Sequence, residues 1–287
     1  MRAQGPGSRL EATTEGASLV CRGVSFSYGE GDALVPALRD VDFSVAAGGA
    51  MAVIGASGSG KSTLLQVIRG LDEPDAGAVL LDEVEPGAAG YAARQREVGL
   101  VFQVPEVQLF AATAREDVAF GPRRLGWAEP DVADAVAEAL ELVGLPEPVY
   151  GDRHPYSLSG GEARRLALAG VLAMRPRLVL LDEPFVSLDP GSRRDLVAIL
   201  ERLKADGITL LLVTHDVDLA WRLCEQRLVL SSGRVAAAGL WDFAGGDARL
   251  LAANRLREPF LVELWRRLAR APGQAPRTSE EAAKALA

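Results

Sequence analysis

Residues 55–63 read GASGSGKST, and these residue types at this spacing are suited to holding a chain of phosphates. Glycines in the G-x-x-x-x-G-K-[ST] pattern let the backbone approach phosphate oxygens closely, Lys61 would neutralise their charge, and Ser62 would ligate Mg²⁺. An apolar run precedes the loop and a helical pattern follows it, which argues against a chance match by a Gly/Ser-rich loop. The candidate phosphate-binding residues are Gly55, Ala56, Ser57, Gly58, Ser59, Gly60, Lys61, Ser62 and Thr63.

Two adjacent carboxylates end another apolar run, LVLLDEP at residues 178–184. Acidic side chains at the end of a buried strand are costly unless a cation or a reaction requires them. Beside a phosphate-binding loop, Asp182 is a candidate Mg²⁺ ligand and Glu183 a candidate general base for an attacking water. Without that loop, an ordinary transition from a strand to a solvent-exposed loop would explain the pair about equally well.

Gln103 and His215 also follow apolar runs, VGLVF and LLLVT. The carboxyl ends of strands are where open α/β sheets place their ligand contacts. An amide such as that of Gln103 is able to contact both a metal ion and an attacking water. Taken alone, either residue is more often simply the polar start of a loop.

A second glycine turn begins the amphipathic stretch SLSGGEARRLAL at residues 157–168. Ser159 and Glu162 have the S-x-x-E spacing of a capping box, in which each side chain satisfies a backbone N–H at the helix start. A capping box does not require Gly160 and Gly161, which cost about 1 kcal/mol each in helix propensity. We therefore expect another group to approach this backbone closely, and a helix N-terminus favours an anion such as phosphate.

Alternating strand and helix patterns predict the elements that position these residues. Strand-like patterns occupy residues 18–28, 41–45, 50–54, 98–102, 177–181, 208–214 and, as a hairpin, 227–239. Helix patterns follow residue 60, cover 131–143 and begin again at Ser159, which predicts a helical insert over about residues 104–172. This order predicts an α/β fold with a mostly parallel sheet, covered by helices, and antiparallel strands at its edges.

Both ends of the chain predict extensions to this core. Residues 1–17 have no apolar core and predict a disordered lead-in rather than a signal peptide. Residues 241–287 predict a helical C-terminal extension with an amphipathic helix and a short final helix. The stripe of the amphipathic helix consists of Phe260, Leu261, Leu264, Trp265 and Leu268.

The composition narrows the classes of partner. The 287 residues carry a formal net charge of −8, which argues against an electrostatic grip on nucleic acid. Cys21 and Cys224 lie in apolar segments, so we expect reduced, buried thiols rather than a disulfide. The longest apolar runs are strand-sized, well short of the roughly 20 residues that span a bilayer.

Together these motifs resemble the ABC-type ATPases over about residues 18–240. LSGGE resembles the signature of that family, and PFVSLDP resembles its D-loop with Asp189. Gln103 and His215 resemble the Q-loop glutamine and the switch histidine. The signature departs from the usual pattern at Glu162, where the family usually has Gln, but both residues can close a capping box.

This resemblance implies a P-loop NTPase that binds ATP and Mg²⁺ and hydrolyses ATP. It also implies a head-to-tail dimer with two sandwiched ATP molecules, in which the Ser159 turn holds the γ-phosphate of the ATP on the other subunit. Tyr28 is placed like the aromatic residue that stacks on adenine, although a strand aromatic sharing a face with Phe26 would look the same. The implied nucleotide contacts beyond the P-loop are Tyr28, Ser159, Gly160, Gly161 and Asp189, the implied metal ligands are Ser62, Gln103 and Asp182, and the implied catalytic residues are Glu183, His215 and Gln103.

Residues 102–122 and 164–184 show a narrower resemblance, to the ATPases of energy-coupling factor importers, which take up vitamins or transition-metal ions. In that group a Q-x-P-x-x-Q-L-F segment, here residues 103–110, meets the coupling helices of a membrane partner. The resemblance implies an integral-membrane coupling subunit, a substrate-binding membrane subunit, a second ATPase subunit and a peripheral location on the cytoplasmic face of the membrane. We therefore expect Leu109 and Phe110 to be exposed in the isolated chain.

Three other functional classes compete with this interpretation. The ATPase of a conventional binding-protein-dependent importer is the nearest alternative. The segment at 103–110 argues against it, as does the C-terminal LREPFLVELWRRL at residues 256–268, which loosely resembles the tail of the energy-coupling factor group. A soluble ABC ATPase acting on nucleic acid or the ribosome would bring a second cassette, a coiled-coil insert, zinc-binding cysteine pairs or a basic arm, none of which this sequence contains. A small-molecule P-loop kinase would leave LSGGE and His215 unexplained.

Overall fold

The fold combines two β-sheets with helices that pack on and between them. The computed structural model describes residues 15–104, 107–268, 270 and 275–286. The strands are β1 (Leu19–Tyr28), β2 (Val35–Val45), β3 (Ala50–Ile54), β4 (Ala76–Leu81), β5 (Val98–Val101), β6 (Leu178–Asp182), β7 (Thr209–Val213), β8 (Gln226–Ser231) and β9 (Arg234–Leu240). The helices are α1 (Lys61–Arg69), α2 (Tyr91–Arg96), α3 (Ala114–Arg124), α4 (Glu129–Leu142), α5 (Glu147–Tyr150), α6 (Gly160–Leu172), α7 (Pro190–Ala205), α8 (Val217–Leu223), α9 (Asp247–Ala253), α10 (Phe260–Arg267) and α11 (Ser279–Leu286).

The larger sheet carries the candidate catalytic groups along the edge formed by the carboxyl ends of its central strands. Its strand order is β5-β6-β7-β3-β8-β9, parallel except for the antiparallel edge strand β9. Every residue of β3, β6 and β7 is buried, which explains why these strands read as unbroken apolar runs in the sequence. Because the three strands are parallel and adjacent, the chain leaves them at the same edge, where Gly55, Glu183 and His215 follow. The predicted parallel, helix-covered sheet is confirmed.

A second, antiparallel sheet has the strand order β2-β1-β4. We expected the antiparallel strands at the edges of the main sheet, and only β9 lies there; β1 and β2 instead pair with each other in the separate sheet. Strand β4 was not predicted. Its sequence AGAVLL begins with alanine and glycine, which are uncommon in strands, and only its last three residues form an apolar run. Leu64, Leu65 and Ile68 of α1 are buried in one apolar cluster with side chains of both sheets, so α1 fastens the two sheets together.

Helices α3 to α6 lie within the stretch predicted to form a helical insert. The predicted helix at residues 131–143 is α4, which has Pro130 in its first turn and ends before Gly144 at a φ of +69°. Leu140, Leu145 and Leu166 are among the largest fully buried side chains, and they join this region to the main apolar core. The predicted division into a lead-in at 1–17, an ATPase core at about 18–240 with an insert at about 104–172, and an extension at 241–287 stays a prediction.

Residues 15–17 correct the predicted extent of the N-terminal lead-in, while residues 1–14 lie outside the described part of the chain. Ala17 is only 2 % exposed, and its N–H donates to Arg177 O at 3.1 Å. Its carbonyl accepts from Thr209 Oγ1 at 2.8 Å, and the Gly16 carbonyl accepts from Arg177 Nη2 at 3.1 Å. These contacts are made by the backbone of small residues, so the hydrophobic pattern gave no sign of them.

The C-terminal extension packs against the end of α8. Arg277 stacks over the Trp221 ring at 4.1 Å and donates through Nη1 to the carbonyls of Trp221 and Cys224 at 2.6 and 2.7 Å. On α10, Val262 and Trp265 form the buried face. The predicted stripe is therefore only partly buried, because its members Phe260 and Leu268 are exposed, while Leu261 and Leu264 are half-buried. Residues 269 and 271, at the end of the predicted amphipathic segment EPFLVELWRRLARA, lie outside the described residues.

Both thiols are buried and unpaired with each other, as expected. Burial raises the pKa of Cys224 to about 12 and raises the pKa of Cys21 still further above its ordinary value. Among the helices that the structure describes, none combines the length and apolar character needed to cross a bilayer.

Candidate nucleotide-hydrolysis site

The loop between β3 and α1 turns into the helix through a left-handed glycine. Gly60 is the N-cap of α1 with a φ of +101°, and a Cβ at this position would lie 2.6 Å from Ala37 O. Both the φ value and the close approach require glycine here. Ala56, Ser57 and Gly58 are exposed, so this part of the loop is open to a ligand.

The Lys61 side chain folds back over the P-loop, residues 55–63. Its Nζ donates to Gly55 O and to Ala56 O, each at 3.0 Å. Burial lowers the pKa of Lys61, and the nearby carboxylates Glu183 and Asp182 oppose this shift. The ammonium group is therefore held between the P-loop and the two acids, where a phosphate group would replace the carbonyls as its partner.

Asp182 fits a metal ligand because part of its carboxylate is buried without a donor. The residue is 8 % exposed, and within the described part of the chain its Oδ1 has no hydrogen-bond partner. Burial raises the pKa of Asp182, a hydrogen bond from Ser62 opposes the shift, and the charge of Glu183 adds to it. A buried carboxylate oxygen that lacks a donor is suited to a hard cation, for which carboxylate and hydroxyl oxygens are the preferred ligands.

The other two predicted metal ligands, Ser62 and Gln103, differ in how far the structure supports them. Ser62 lies near enough to Asp182 to lower the pKa of its carboxyl group, so two of the three predicted metal ligands lie together. The Gln103 side chain is exposed and makes no hydrogen bond to any described residue. Ser59, within the P-loop, has a buried Oγ without a partner among the described residues, which marks a second polar atom at the loop that a ligand could satisfy.

Glu183 and His215 contact each other where β6 and β7 end. The Glu183 Oε2 accepts from the His215 N–H at 3.3 Å and lies 2.9 Å from His215 Nδ1. Glu183 has a φ of +46°, a conformation that costs a non-glycine residue about 1–3 kcal/mol and is found preferentially at functional sites. Its own N–H donates to Val213 O at 3.0 Å, which fixes the backbone despite this strain. The predicted base and the predicted histidine are therefore held as a pair.

The Ser159 turn forms the predicted capping box. Ser159 Oγ accepts from the Glu162 N–H, and Glu162 Oε2 accepts from the Ser159 N–H at 2.8 Å. The other carboxylate oxygen of Glu162 accepts from the Tyr150 hydroxyl at 2.9 Å. The Ser159 backbone hydrogen bond holds the pKa of Glu162 below its ordinary value. Glu162 thus closes the box as an ionised carboxylate.

The two glycines of this turn have different explanations. A Cβ at Gly161 would lie 2.2 Å from Ser192 Oγ, so α7 of the same chain approaches this position closely. Ser192 is in turn held by the N-cap Asp189, whose Oδ2 accepts from the Ser192 hydroxyl at 2.6 Å. No atom of the described residues lies within 4 Å of a Cβ at Gly160, which leaves that side of the turn open. Our expectation of a closely approaching group is met within the chain at Gly161 only.

Tyr28 is tied to the P-loop helix and also to its own strand. Its hydroxyl lies 3.0 Å from Thr63 Oγ1 and donates to Gln66 Oε1 at 3.1 Å. Its ring packs edge-on against Phe26, with centroids 4.9 Å apart. The Tyr28 ring is nevertheless partly exposed, so both interpretations of this residue, stacking on adenine and packing in the strand, remain compatible with its position.

The predicted docking segment, residues 103–110, is only partly described, because residues 105 and 106 lie outside the described residues. Phe110 is 62 % exposed, as expected. Leu109 is 4 % exposed, so our expectation that it faces solvent is wrong. Its side chain joins the main apolar core, and its carbonyl accepts from the Tyr156 hydroxyl at 3.0 Å.

The structure brings the candidates together in two groups. The first contains the P-loop, Asp182, Glu183 and His215 at one edge of the larger sheet. The second contains the Ser159 turn, Gly161 and Asp189, which are linked through Ser192. Among the described residues, no hydrogen bond joins the Ser159 turn to the P-loop.

Sequence reasoning missed two residues that organise these groups. Gln108 closes the loop after β5 by accepting from the Phe102 N–H at 2.9 Å and donating to Leu100 O at 3.2 Å. Arg164 is buried on α6 and donates to carbonyls of three loop residues. The available signal for Arg164 was a charged residue at an inward position of an otherwise apolar helix face. Gln108 carried no signal beyond its place in the segment.

Comparison with known proteins identifies the family. The model of a family described as ABC transporter matches residues 38–186. The chain belongs to this ABC transporter family. The energy-coupling factor transporter ATP-binding protein EcfA of Methanothermobacter thermautotrophicus is 42 % identical over 249 residues, covering 86 % of this chain and 78 % of that protein. EcfA2 of Symbiobacterium thermophilum is 43 % identical over 238 residues, covering 82 % of each chain.

Solved structures of this family share the fold. The structure of cbiO1 from Clostridium perfringens, described as part of the ABC transporter complex cbiONQ, matches with a TM-score of 0.69 and 32 % identity, over 79 % of this chain and 89 % of that one. A dimeric ATP-binding cassette, MJ0796 with ADP and Pi bound, also matches with a TM-score of 0.69, at 29 % identity over 77 % of this chain and 98 % of that one. The predicted ABC ATPase fold, ATP hydrolysis coupled to transport and the similarity to energy-coupling factor ATPases are confirmed.

Proposed function

We propose that this chain hydrolyses ATP with Glu183 as general base and His215 as its partner, within the dimeric ATPase of an energy-coupling factor importer of a vitamin or transition-metal ion. The observation that carries the assignment is the Glu183–His215 contact at 2.9 Å, at the sheet edge that also holds Lys61 and Asp182. These groups supply a base, an orienting partner and a phosphate counter-charge in one place.

Each side chain has a role that its environment supports. Lys61 would exchange its two carbonyl partners for the β- and γ-phosphates of ATP, because a charge-assisted bond to phosphate is the stronger one. Both contacts from His215 use Glu183 Oε2, which leaves Oε1 available to orient the attacking water. His215 fixes the carboxylate in place, and its ring is exposed, so it is open to contact by a γ-phosphate or a partner chain.

The residues present fit Mg²⁺, with Ser62 and Asp182 as ligands and Gln103 as a third. The buried, donorless Oδ1 of Asp182 and its contact with Ser62 support this assignment. When bound, Mg²⁺ would neutralise charge that develops on the phosphate oxygens. The exposed side chain of Gln103 would need to turn toward the other two ligands as nucleotide binds.

The Ser159 turn supports a nucleotide contact made between two copies or between this chain and a related ATPase. Ser159 and Gly160 are exposed, and the open side of Gly160 leaves room for a phosphate group at the start of α6. Asp189 would act at the same contact by holding Ser192 against Gly161. Tyr28 would contact the base of the nucleotide bound to its own P-loop, because its hydroxyl is fixed to Thr63.

An exposed apolar surface supports docking to an integral-membrane coupling subunit. Val104, Val107, Phe110 and Phe120 are all exposed, and the Phe110 and Phe120 rings pack edge-on with centroids 4.8 Å apart. Beside these rings, a cavity of about 440 Å³ opens between β5, α3 and α6. We propose that the coupling subunit covers this surface at the cytoplasmic face of the membrane, and that a separate membrane subunit binds the cargo.

The proposal is tested by trapping the nucleotide-bound dimer. Glu183→Gln should bind Mg-ATP and form an ATP-dependent dimer on size-exclusion chromatography, with hydrolysis slowed by about 10²–10⁴-fold. The double variant Glu183→Gln/Ser159→Arg should bind ATP equally well but remain monomeric, since the added bulk blocks the turn. As a matched control, Glu183→Gln/Ser44→Arg places the same substitution on an exposed position of β2 and should still dimerise.

Two results would contradict these roles. Full turnover by Glu183→Gln would remove this residue from the reaction. Loss of ATP binding by the isolated Ser159→Arg chain would mean that the turn serves its own nucleotide or the fold. Identification of the membrane proteins that co-purify with the wild-type chain separates an energy-coupling factor importer from a conventional binding-protein-dependent one.

A further inference from the structure

Arg164 joins the start of α6 to two loops that are distant in sequence. It lies five residues after Ser159 and is 7 % exposed. Its Nη1 donates to Pro184 O at 2.9 Å and to Val186 O at 2.6 Å. Its Nη2 donates to Gln103 O at 2.9 Å. One guanidinium group therefore bonds the loops that follow β6 and β5.

These carbonyls belong to the loops that carry the candidate chemistry. Pro184 directly follows Glu183, and the third carbonyl belongs to Gln103 itself. Loops beyond the end of a sheet have no neighbouring strand to donate to their carbonyls, so these carbonyls need donors from elsewhere. A guanidinium group supplies several donors in a rigid plane, so it fixes both loops in one geometry. A lysine ammonium in the same place is a single point and cannot span both loops equally well.

We propose that Arg164 is a positioning residue that couples the Ser159 turn to the geometry of Glu183 and Gln103. The Ser159 turn begins α6, and Arg164 lies about one turn further along the same helix. A helix moves as a rigid unit over this distance, so a displacement of the turn when a nucleotide contacts it is passed to the three carbonyls of the two loops. The inference rests on the roles proposed above for Glu183, Gln103 and Ser159.

The competing explanation is that Arg164 only stabilises the fold. A purely structural residue would lower stability and ATP binding together when it is replaced. A positioning residue would lower kcat and ATP-dependent dimerisation, while binding of Mg-ATP to the P-loop of the isolated chain stays near its wild-type affinity. The two explanations therefore differ in the split between kcat and KM.

The test compares Arg164→Met and Arg164→Lys with the exposed control Arg202→Met on α7. Misplacement of reacting groups by about 1 Å lowers rates by about 10²-fold, so we expect kcat of Arg164→Met to fall by about that factor. The KM for ATP should change by less than about threefold, because Lys61 and the P-loop are untouched. Arg164→Lys should lie between wild type and Arg164→Met, and Arg202→Met should match wild type.

Chemical rescue adds a readout that a loss of stability would not produce. Arg164→Ala leaves a space in which methylguanidinium can bond the same carbonyls. Millimolar methylguanidinium chloride should raise kcat of Arg164→Ala severalfold, whereas equal sodium chloride should not.

Wild-type kcat in Arg164→Met and Arg164→Lys would overturn the inference, as would loss of ATP binding in step with kcat. Misfolding of both variants, measured as loss of the thermal transition, would overturn it in favour of a folding role. Glu183→Gln, assayed in parallel, keeps the two proposals distinguishable. Full turnover by Glu183→Gln refutes the proposed function, whereas an inactive Glu183→Gln beside fully active Arg164 variants refutes only the coupling role.

Discussion

Aspartate substitutions at Leu109 and Phe110 should separate folding from docking, because these neighbours have opposite environments. Leu109 is 4 % exposed and belongs to the main core, whereas Phe110 is 62 % exposed. Complete burial of a leucine side chain contributes about 1.5–3 kcal/mol. Leu109→Asp would lose this contribution and also bury a carboxylate. Asp117 lines the same cavity as Leu109, so the new charge would face a like charge.

The expected loss for Leu109→Asp is therefore at least about 3 kcal/mol in the free energy of unfolding. In a protein of this size that corresponds to a fall in Tm of about 6–12 °C. Phe110→Asp should lose only the edge contact with Phe120, which is worth about 0.5–1.5 kcal/mol. It should keep its fold and bind Mg-ATP, but fail to co-purify with a membrane partner or to support uptake.

The assay combines thermal unfolding followed by circular dichroism, binding of a fluorescent ATP analogue, and co-purification from solubilised membranes. Phe260→Asp is the matched control, since Phe260 is equally exposed but lies on α10 in the C-terminal extension. Equal stability of Leu109→Asp and Phe110→Asp would refute the burial argument. Normal co-purification of Phe110→Asp would move the docking surface away from this ring.

Two further predictions concern charged groups whose partners are visible in the structure. Because the Ser159 N–H holds the pKa of Glu162 below its ordinary value of 4.5, the charge of Glu162 stabilises the fold above that pH and stops doing so as the pH falls through the lowered pKa. The stability advantage of wild type over Glu162→Gln, at most about 1 kcal/mol at neutral pH, should therefore shrink in urea unfolding measured below about pH 4.5. Asp247→Ala should lower the free energy of unfolding by about 3–5 kcal/mol, because it leaves the buried Arg227 without its carboxylate and the Asp242 N–H without an acceptor. Asp247→Asn should recover part of that loss, and an unchanged urea midpoint for Asp247→Ala would contradict the assignment of this ion pair as a tie between β8 and α9.

The sequence by itself determined the elements and motifs whose interactions are local. The run AMAVI, the glycine loop and the helix after it gave β3, the P-loop and α1, because a buried parallel strand and a helix N-terminus each impose a short-range pattern. The capping box was also predictable, since Ser159 and Glu162 are three residues apart and satisfy each other's N–H groups. The acids at the end of β6 were identified for the same reason, because their position follows from the end of one apolar run.

Tertiary structure alone decided which residues meet across long distances in the chain. The pairing of β1 with β2 and β4 in a separate sheet depends on hydrogen bonds between strands, which the alternation within one strand does not specify. The two apolar neighbours at 109 and 110 look alike in sequence, and only the path of the loop turns one of them into the core.

Contacts of backbone atoms were equally hidden from the sequence. Gly161 is small because Ser192, thirty-one residues later, occupies the space of its Cβ. Arg164 meets carbonyls 61, 20 and 22 residues away, and a carbonyl has the same chemistry whatever side chain its residue carries. Residue types therefore revealed which groups could do chemistry, but the partners that hold those groups are set by how the loops pack, and this packing leaves no periodic trace in the sequence.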